Sequence, residues 1–137
     1  MEFYDGSIKE VSSVEKEKLT KFMKENSNGA LATQGENSPR VSIMASLAVS
    51  TIDEIYMITD LDSEKIKNIE RNSSVEISYF NAENAVIVSG KIEVVEDPNK
   101  KYEIYESWFE FYWDKEAFKN NAVVLKFTTG GVRYYSE

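Results

Sequence analysis

The chain contains no cysteine and no histidine. Without cysteine there is no disulfide, no thiolate nucleophile and no cysteine-ligated zinc. Without histidine, serine–histidine triads, histidine-bound metals and the commonest general base at neutral pH are excluded as well. No metal site is expected. Chemistry is left to carboxylates, lysines, tyrosines and hydroxyls, or to a cofactor that brings its own reactivity. A long apolar run is also missing, so no membrane span is expected. The opening residues Met1 to Asp5 are acidic and lack an apolar stretch of signal-peptide length, which points to the cytoplasm. Positive charge is scarce: 16 lysines and arginines face 24 acids, a net charge of −8. That balance argues against a nucleic-acid partner, which would require a basic face. It leaves room for one local anion site.

What remains is the composition of an ordinary globular protein, 42% apolar and 29% charged over 137 residues. Neither an internal repeat nor a linker is visible, and residues 1–137 read as one domain.

The most informative stretch is 55–69. Residues 55–59 are mostly β-branched or aromatic, as a half-buried strand prefers, and Asp60, Asp62 and Ser63 then supply helix N-cap types. In the short helix that follows, Ile66 and Ile69 lie three apart and face a core, while Glu64, Lys67 and Arg71 point to water. A strand feeding a helix N-terminus offers free backbone N–H groups and the positive end of the helix dipole, with Lys65 in the first turn. Two readings stand at this point: a capped surface helix, or a phosphate site.

Elsewhere the chain reads in order. Segment 1–12 has little periodicity and reads as either a strand fragment or a loose arm. Ser13 caps a helix over 14–26, in which Leu19, Phe22 and Met23 form a core stripe. Residues 30–33 are a short strand and 34–39 a turn cluster. In the strand 40–50, Val41, Ile43, Ala45, Leu47 and Val49 are the expected core face, alternating with Arg40, Ser42, Met44, Ser46, Ala48 and Ser50. That second, small and weakly polar face is either solvent-exposed or covered by a flat ligand or a partner subunit. Strands follow at 75–80 and 85–96, and Gly90 in the latter suggests a bulge or the close approach of another backbone. Pro98 opens a mostly helical segment whose aromatic end, through Trp108, Tyr112 and Trp113, suits contact with a ligand or partner chain. Segments 122–129 and 132–135 are expected to pair as a hairpin across Gly130-Gly131. Six or seven strands with short turns favour a mainly β fold, an antiparallel barrel with peripheral helices.

The order of these elements, with Leu31-Ala32-Thr33, Pro39-Arg40-Val41, Ile58-Thr59-Asp60, Ser63-Glu64-Lys65, Val88-Ser89-Gly90-Lys91-Ile92-Glu93-Val94 and Val123-Val124-Leu125-Lys126-Phe127, resembles the pyridoxamine 5′-phosphate oxidase-like flavin-binding split barrels, and among them the small general stress proteins. The resemblance implies a six-stranded antiparallel split barrel of Greek-key type, a homodimer, and FMN at the dimer interface. It places Thr59, Ser63 and Lys65 on the FMN phosphate with Ile58 beside them. Arg40, Ser42 and Met44 would lie along the ribityl chain and ring, and Trp108 and Trp113 either over the flavin or in interface packing. Deazaflavin, haem or no cofactor are the alternatives within related barrels.

Three positions depart from the oxidases that act on pyridoxamine phosphate: Ser42 and Glu64 stand where those carry arginine, and Leu47 where they carry lysine. A true pyridoxamine phosphate oxidase is therefore not expected. The function implied is FMN binding with oxidoreductase chemistry on a small molecule. A non-catalytic flavin binder and a cofactor-free dimeric interaction module remain alternatives. No residue is nominated as a catalytic acid or base.

Overall fold

The computed structural model describes residues 2–107 and 122–136. Trp108, Tyr112 and Trp113 lie outside the described residues. The elements are β1 (Glu2–Ser7), a 3-10 turn (Ile8–Glu10), α1 (Ser13–Glu25), β2 (Asn28–Gln34), β3 (Pro39–Ala45), β4 (Glu54–Asp60), α2 (Glu64–Arg71), β5 (Ser74–Phe80), β6 (Ala85–Val94), α3 (Pro98–Ser107) and β7 (Ala122–Ser136). Ser12, rather than Ser13, caps α1, its hydroxyl accepting the N–H of Glu15 at 3.2 Å. Among the described residues no helix is long and apolar enough to cross a membrane.

All strand pairs are antiparallel, in the order β1-β7-β6-β5-β2-β3 with β4 on the other flank of β7. The path β3-β2-β5-β6-β7-β4 is the six-stranded split barrel, and β1 adds a seventh strand to the distal half of β7. Between β3 and β4 there is no ladder. They are joined just past the end of β3, where the Leu47 N–H donates to the Tyr56 carbonyl at 2.9 Å. That seam is the split.

The expected hairpin at Gly130-Gly131 does not form. Strand β7 runs straight through, pairing with β6 on both sides of the glycines, and the register shifts between Ser89 and Gly90. A two-residue hairpin turn demands positive φ, and neither glycine has it. The pair serves a bulge instead. Gly90 opposes it, and a Cβ there would lie 2.0 Å from the Thr128 carbonyl oxygen. The close backbone approach expected at Gly90 is therefore present.

The expected core face of β3 is also reversed. Met44 is only 7% exposed, whereas Val41 and Ile43 are each 67% exposed. Register is the reason. Ser42 pairs with Leu31 and Met44 with Gly29, and directly opposed residues share a face, so the buried Leu31 carries Ser42 and Met44 inward. The strand also stops at Ala45, short of residue 50.

Inside the barrel, Leu31, Ile55, Met57, Ile77, Val88, Leu125 and Phe127 are fully buried. Leu19 and Met23 of α1 and Ile66 and Ile69 of α2 join this core, with Phe22 packed against it, as their spacing predicts. A second cluster (Leu47, Tyr56, Ile104, Ala122 and Val124) lies on the other face of β4 and β7. Among the described residues one polar group is stranded in the core: the Tyr79 hydroxyl is buried and lacks a hydrogen bond of good geometry. Burial pushes that phenol up to about 12, an effect the neighbouring Ser46 hydroxyl only partly offsets.

The outward sheet face carries exposed apolar side chains. Val41 and Ile43 stand on β3, and Phe80, Tyr135 and Phe3 stand on β5, β7 and β1 in one cross-strand row through Ala85.

Candidate functional site

Strand β4 hands the chain to α2 through a tight turn. The Ser63 N–H donates to the Asp60 carbonyl at 3.1 Å, and Ser63 adopts the extended backbone of an N-cap. Its hydroxyl accepts the Lys65 N–H at 3.2 Å, while its carbonyl accepts the Ile66 N–H at 3.2 Å. Asp60, Asp62 and Glu64 around this turn are exposed, and Lys65 is half-buried. Thr59, one residue before the turn, is buried opposite Val123 on the inward face of β4.

Helix α2 is held in place by more than Ile66 and Ile69. The buried Asn68 donates its side-chain amide to Thr33 Oγ1 at 3.2 Å and accepts from Arg71 at 2.5 Å. Arg71 is exposed, as expected, and its bond to Asn68 is made within α2. Thr33 pairs with Arg40 across β2 and β3, and the same docking brings Arg40 to the first turn of α2. There its guanidinium donates to the Glu64 carboxylate at 3.2 Å.

Thr59, Ser63 and Lys65 thus follow one another along the end of β4, the turn and the start of α2, and Arg40 reaches Glu64 there. Met44 does not join them, being buried in the barrel core, and Ser42 is half-buried on the same inward face. Ile58 points the other way from Thr59 and packs against the second cluster, in which Leu47 is buried. Sequence spacing did not reveal the Arg40–Glu64 pair or the Asn68 clamp, since both depend on how α2 docks.

The donor set suits a phosphate in kind. Ser63, having accepted one bond, keeps its own hydrogen to donate. Lys65 makes no ion pair among the described residues, and Arg40 commits one of its donors to Glu64. Asp60, Asp62 and Glu64 add three exposed carboxylates around the same turn. Among the described residues no group of acids is arranged to hold a metal ion. A separate open groove of about 740 Å³ crosses the outward face over Ala32, Glu76, Ser89 and Gly131. Of its charged lining groups, Lys91 donates to the Ser74 hydroxyl at 2.5 Å and Glu76 accepts from Arg133 at 3.1 Å.

Residues 14–137 match the sequence model of a family described as pyridoxamine 5′-phosphate oxidase like. No curated protein matches. Among solved structures, the chain resembles a protein related to general stress protein 26 from Clostridium acetobutylicum, at 14% identity and a TM-score of 0.73, over 93% of this chain and 92% of that one. It also resembles general stress protein 26 of Bacillus anthracis, at 23% identity and a TM-score of 0.69, over 89% and 95% of the two chains. A FAD-binding protein from Mesorhizobium loti aligns over 99% of this chain and 100% of its own, at 17% identity and a TM-score of 0.67. At these identities the structural likeness establishes the fold.

Proposed function

The chain belongs to the pyridoxamine 5′-phosphate oxidase-like family, and from that premise we propose that it binds a flavin, FMN being the reference ligand, and serves as a flavin-dependent oxidoreductase for a small organic molecule. The observation that carries this reading is the start of α2, where the Ser63 hydroxyl caps the helix, Lys65 stands in the first turn and the Arg40 guanidinium reaches Glu64. Thr59 is buried at the end of β4, ahead of the turn. Helix starts favour anions, and cationic donors add charge-assisted bonds. A flavin-binding neighbour of the same fold supports the reading.

When bound, the flavin supplies the hydride and electron chemistry. This chain's residues have the narrower tasks of gripping the phosphate and orienting the rest of the molecule. On β3, Met44 is buried in the barrel core and is not proposed as a ring contact. We assign the exposed apolar side chains of the outward sheet face, Val41 and Ile43 on β3 and the row Phe80, Tyr135 and Phe3, to a second copy of the chain, since exposed apolar patches mark contact sites. Pyridoxamine phosphate oxidase activity is not proposed. Leu47 is buried away from the corner, Ser42 is neutral, and Glu64 consumes a cation instead of supplying one.

Calorimetric titration of the purified, ligand-free chain with FMN tests the proposal. Saturable binding is expected, and a nicotinamide nucleotide plus a small acceptor should then cycle the bound flavin. Failure to bind any flavin sinks it. Binding without reduction leaves a flavin carrier.

A further inference from the structure

Strand β1 meets the start of α1 in an open cleft of about 690 Å³, which shares no residue with the start of α2. Two aromatic rings line it. Side chains alternate along a strand, so Tyr4 and its cross-strand partner Tyr134 face away from the outward row of Phe3 and Tyr135 and pack against the barrel core. They stack, with ring centroids 5.2 Å apart and planes 22° from parallel. Gly6 permits this pose, because a Cβ there would lie 2.7 Å from the Tyr4 hydroxyl oxygen. The ring lies back across the glycine, and its hydroxyl donates to the Ser7 carbonyl at 3.1 Å. Glu10, Glu15 and Lys18 line the cleft as well. Glu10 makes no ion pair among the described residues. Lys18 stands 4.0 Å from Glu15 and is 72% exposed, so much of its charge is spent on water. The start of α1 adds roughly half a positive charge. The two carboxylates therefore prevail by a small margin, and the ring faces, themselves attractive to cations, add to it.

We propose that this cleft binds a small organic cation of the quaternary ammonium class, with the Tyr4–Tyr134 pair against its methyl groups and Glu10 as its counter-charge. Such a cation spreads its charge over methyl groups that pack on a ring face, and it leaves water at little cost. An inorganic cation keeps its water, and among the described residues no group of acids is arranged to strip and hold one. A phosphate would gain Lys18 and the helix start but would meet both carboxylates. The rings, held by the Ser7 carbonyl and the missing Cβ of Gly6, need no rearrangement to receive the ligand.

The test is an NMR titration of the full chain with choline, with its uncharged isostere in which carbon replaces the ammonium nitrogen, and with inorganic phosphate. Choline is expected to shift the signals of Tyr4, Gly6 and Tyr134 saturably, with a dissociation constant about fivefold to tenfold below that of the isostere. Glu10→Gln should weaken choline about twofold to fivefold, the range of an exposed charge pair, and leave the isostere unchanged. Gly6→Ala, which displaces the Tyr4 ring, should weaken both ligands. If that variant fails to fold, Glu10→Gln decides alone, since Glu10 is exposed and its replacement should leave the fold intact. Absence of saturable shifts with choline overturns the proposal, as does a choline affinity no better than that of the isostere or unchanged in Glu10→Gln. Phosphate shifting the same signals more strongly than choline overturns it too. None of these outcomes touches the flavin reading, which concerns other residues.

Discussion

Asn68 reaches across from α2 to β2 and donates to Thr33 Oγ1 at 3.2 Å, with the Arg71 guanidinium closing on its carbonyl oxygen at 2.5 Å. One buried amide thereby decides where the start of α2 stands relative to Arg40. Asn68→Ala removes both bonds and strands Thr33, so it should lower the unfolding free energy by about 1–3 kcal/mol. Urea unfolding followed by circular dichroism measures it, and an unchanged midpoint would show the clamp to be dispensable.

Lys65→Ala tests the phosphate assignment. A charge-assisted bond at a half-buried site is worth about 1.5–3 kcal/mol, so FMN affinity should fall at least about tenfold. The variant should keep its native melting temperature, because Lys65 has no ion-pair partner among the described residues. A dissociation constant equal to that of the native chain counts against the site.

Gly90→Ala addresses the seam between β6 and β7. Its methyl group would overlap the Thr128 carbonyl oxygen, which lies 2.0 Å from the added carbon, and backbone there cannot yield as a flexible side chain can. The expected loss is about 2–3 kcal/mol, in the range of overpacked cores. Thermal unfolding is the readout.

Tyr79 predicts an alkaline weakness. The unfolded chain releases this proton near the ordinary tyrosine value of about 10, whereas the folded chain holds it to about 12. Stability from the buried neutral phenol is therefore complete below the lower value and is lost as pH climbs toward the upper, by up to about 1.4 kcal/mol per pH unit. Tyr79→Phe should remove this part of the slope. At neutral pH it should be neutral or stabilising, because the hydroxyl it deletes has no bond of good geometry. Denaturant titrations at several pH values on both chains provide the comparison.

The outward face predicts a dimer. Val41→Lys with Ile43→Lys places two charges on side chains that are each 67% exposed, so the fold should survive while self-association weakens. Sedimentation of both chains checks this, and a native chain that sediments as a monomer removes the basis for the assignment.

Much of the architecture was legible in the residues. Alternation marked β2, β5 and β6, and the run from Ile55 through the Ser63 cap to Ile69 gave β4 and α2 with their caps and buried face. The face of β3 was misread because apolar residues stand on both sides of it. Val41 and Ile43 look like core by composition, yet pairing with β2 turns Met44 inward. Gly130-Gly131 misled for a different reason: a glycine pair suits a turn and a bulge equally, and only the long ladder with β6 decides between them. Strand β1 carried no signal because its one partner lies at the far end of the sequence. At the candidate site, Ser63 and Lys65 could be picked out from capping chemistry, but Arg40 meets Glu64 across 24 positions of chain, a meeting set by docking rather than by local pattern.

Strand β7 lends hydrogen bonds to β1, β4 and β6 alike. During synthesis, residues 2–7 must wait without a ladder partner until residues 131–136 emerge, and β4 waits likewise for 122–128. Assembly of the barrel is thus deferred until β7 has been translated, and such distant pairings make for slow, millisecond-to-second folding. A ribosome stalled before that segment would hold a nascent chain whose strand edges are still open to the wrong neighbours.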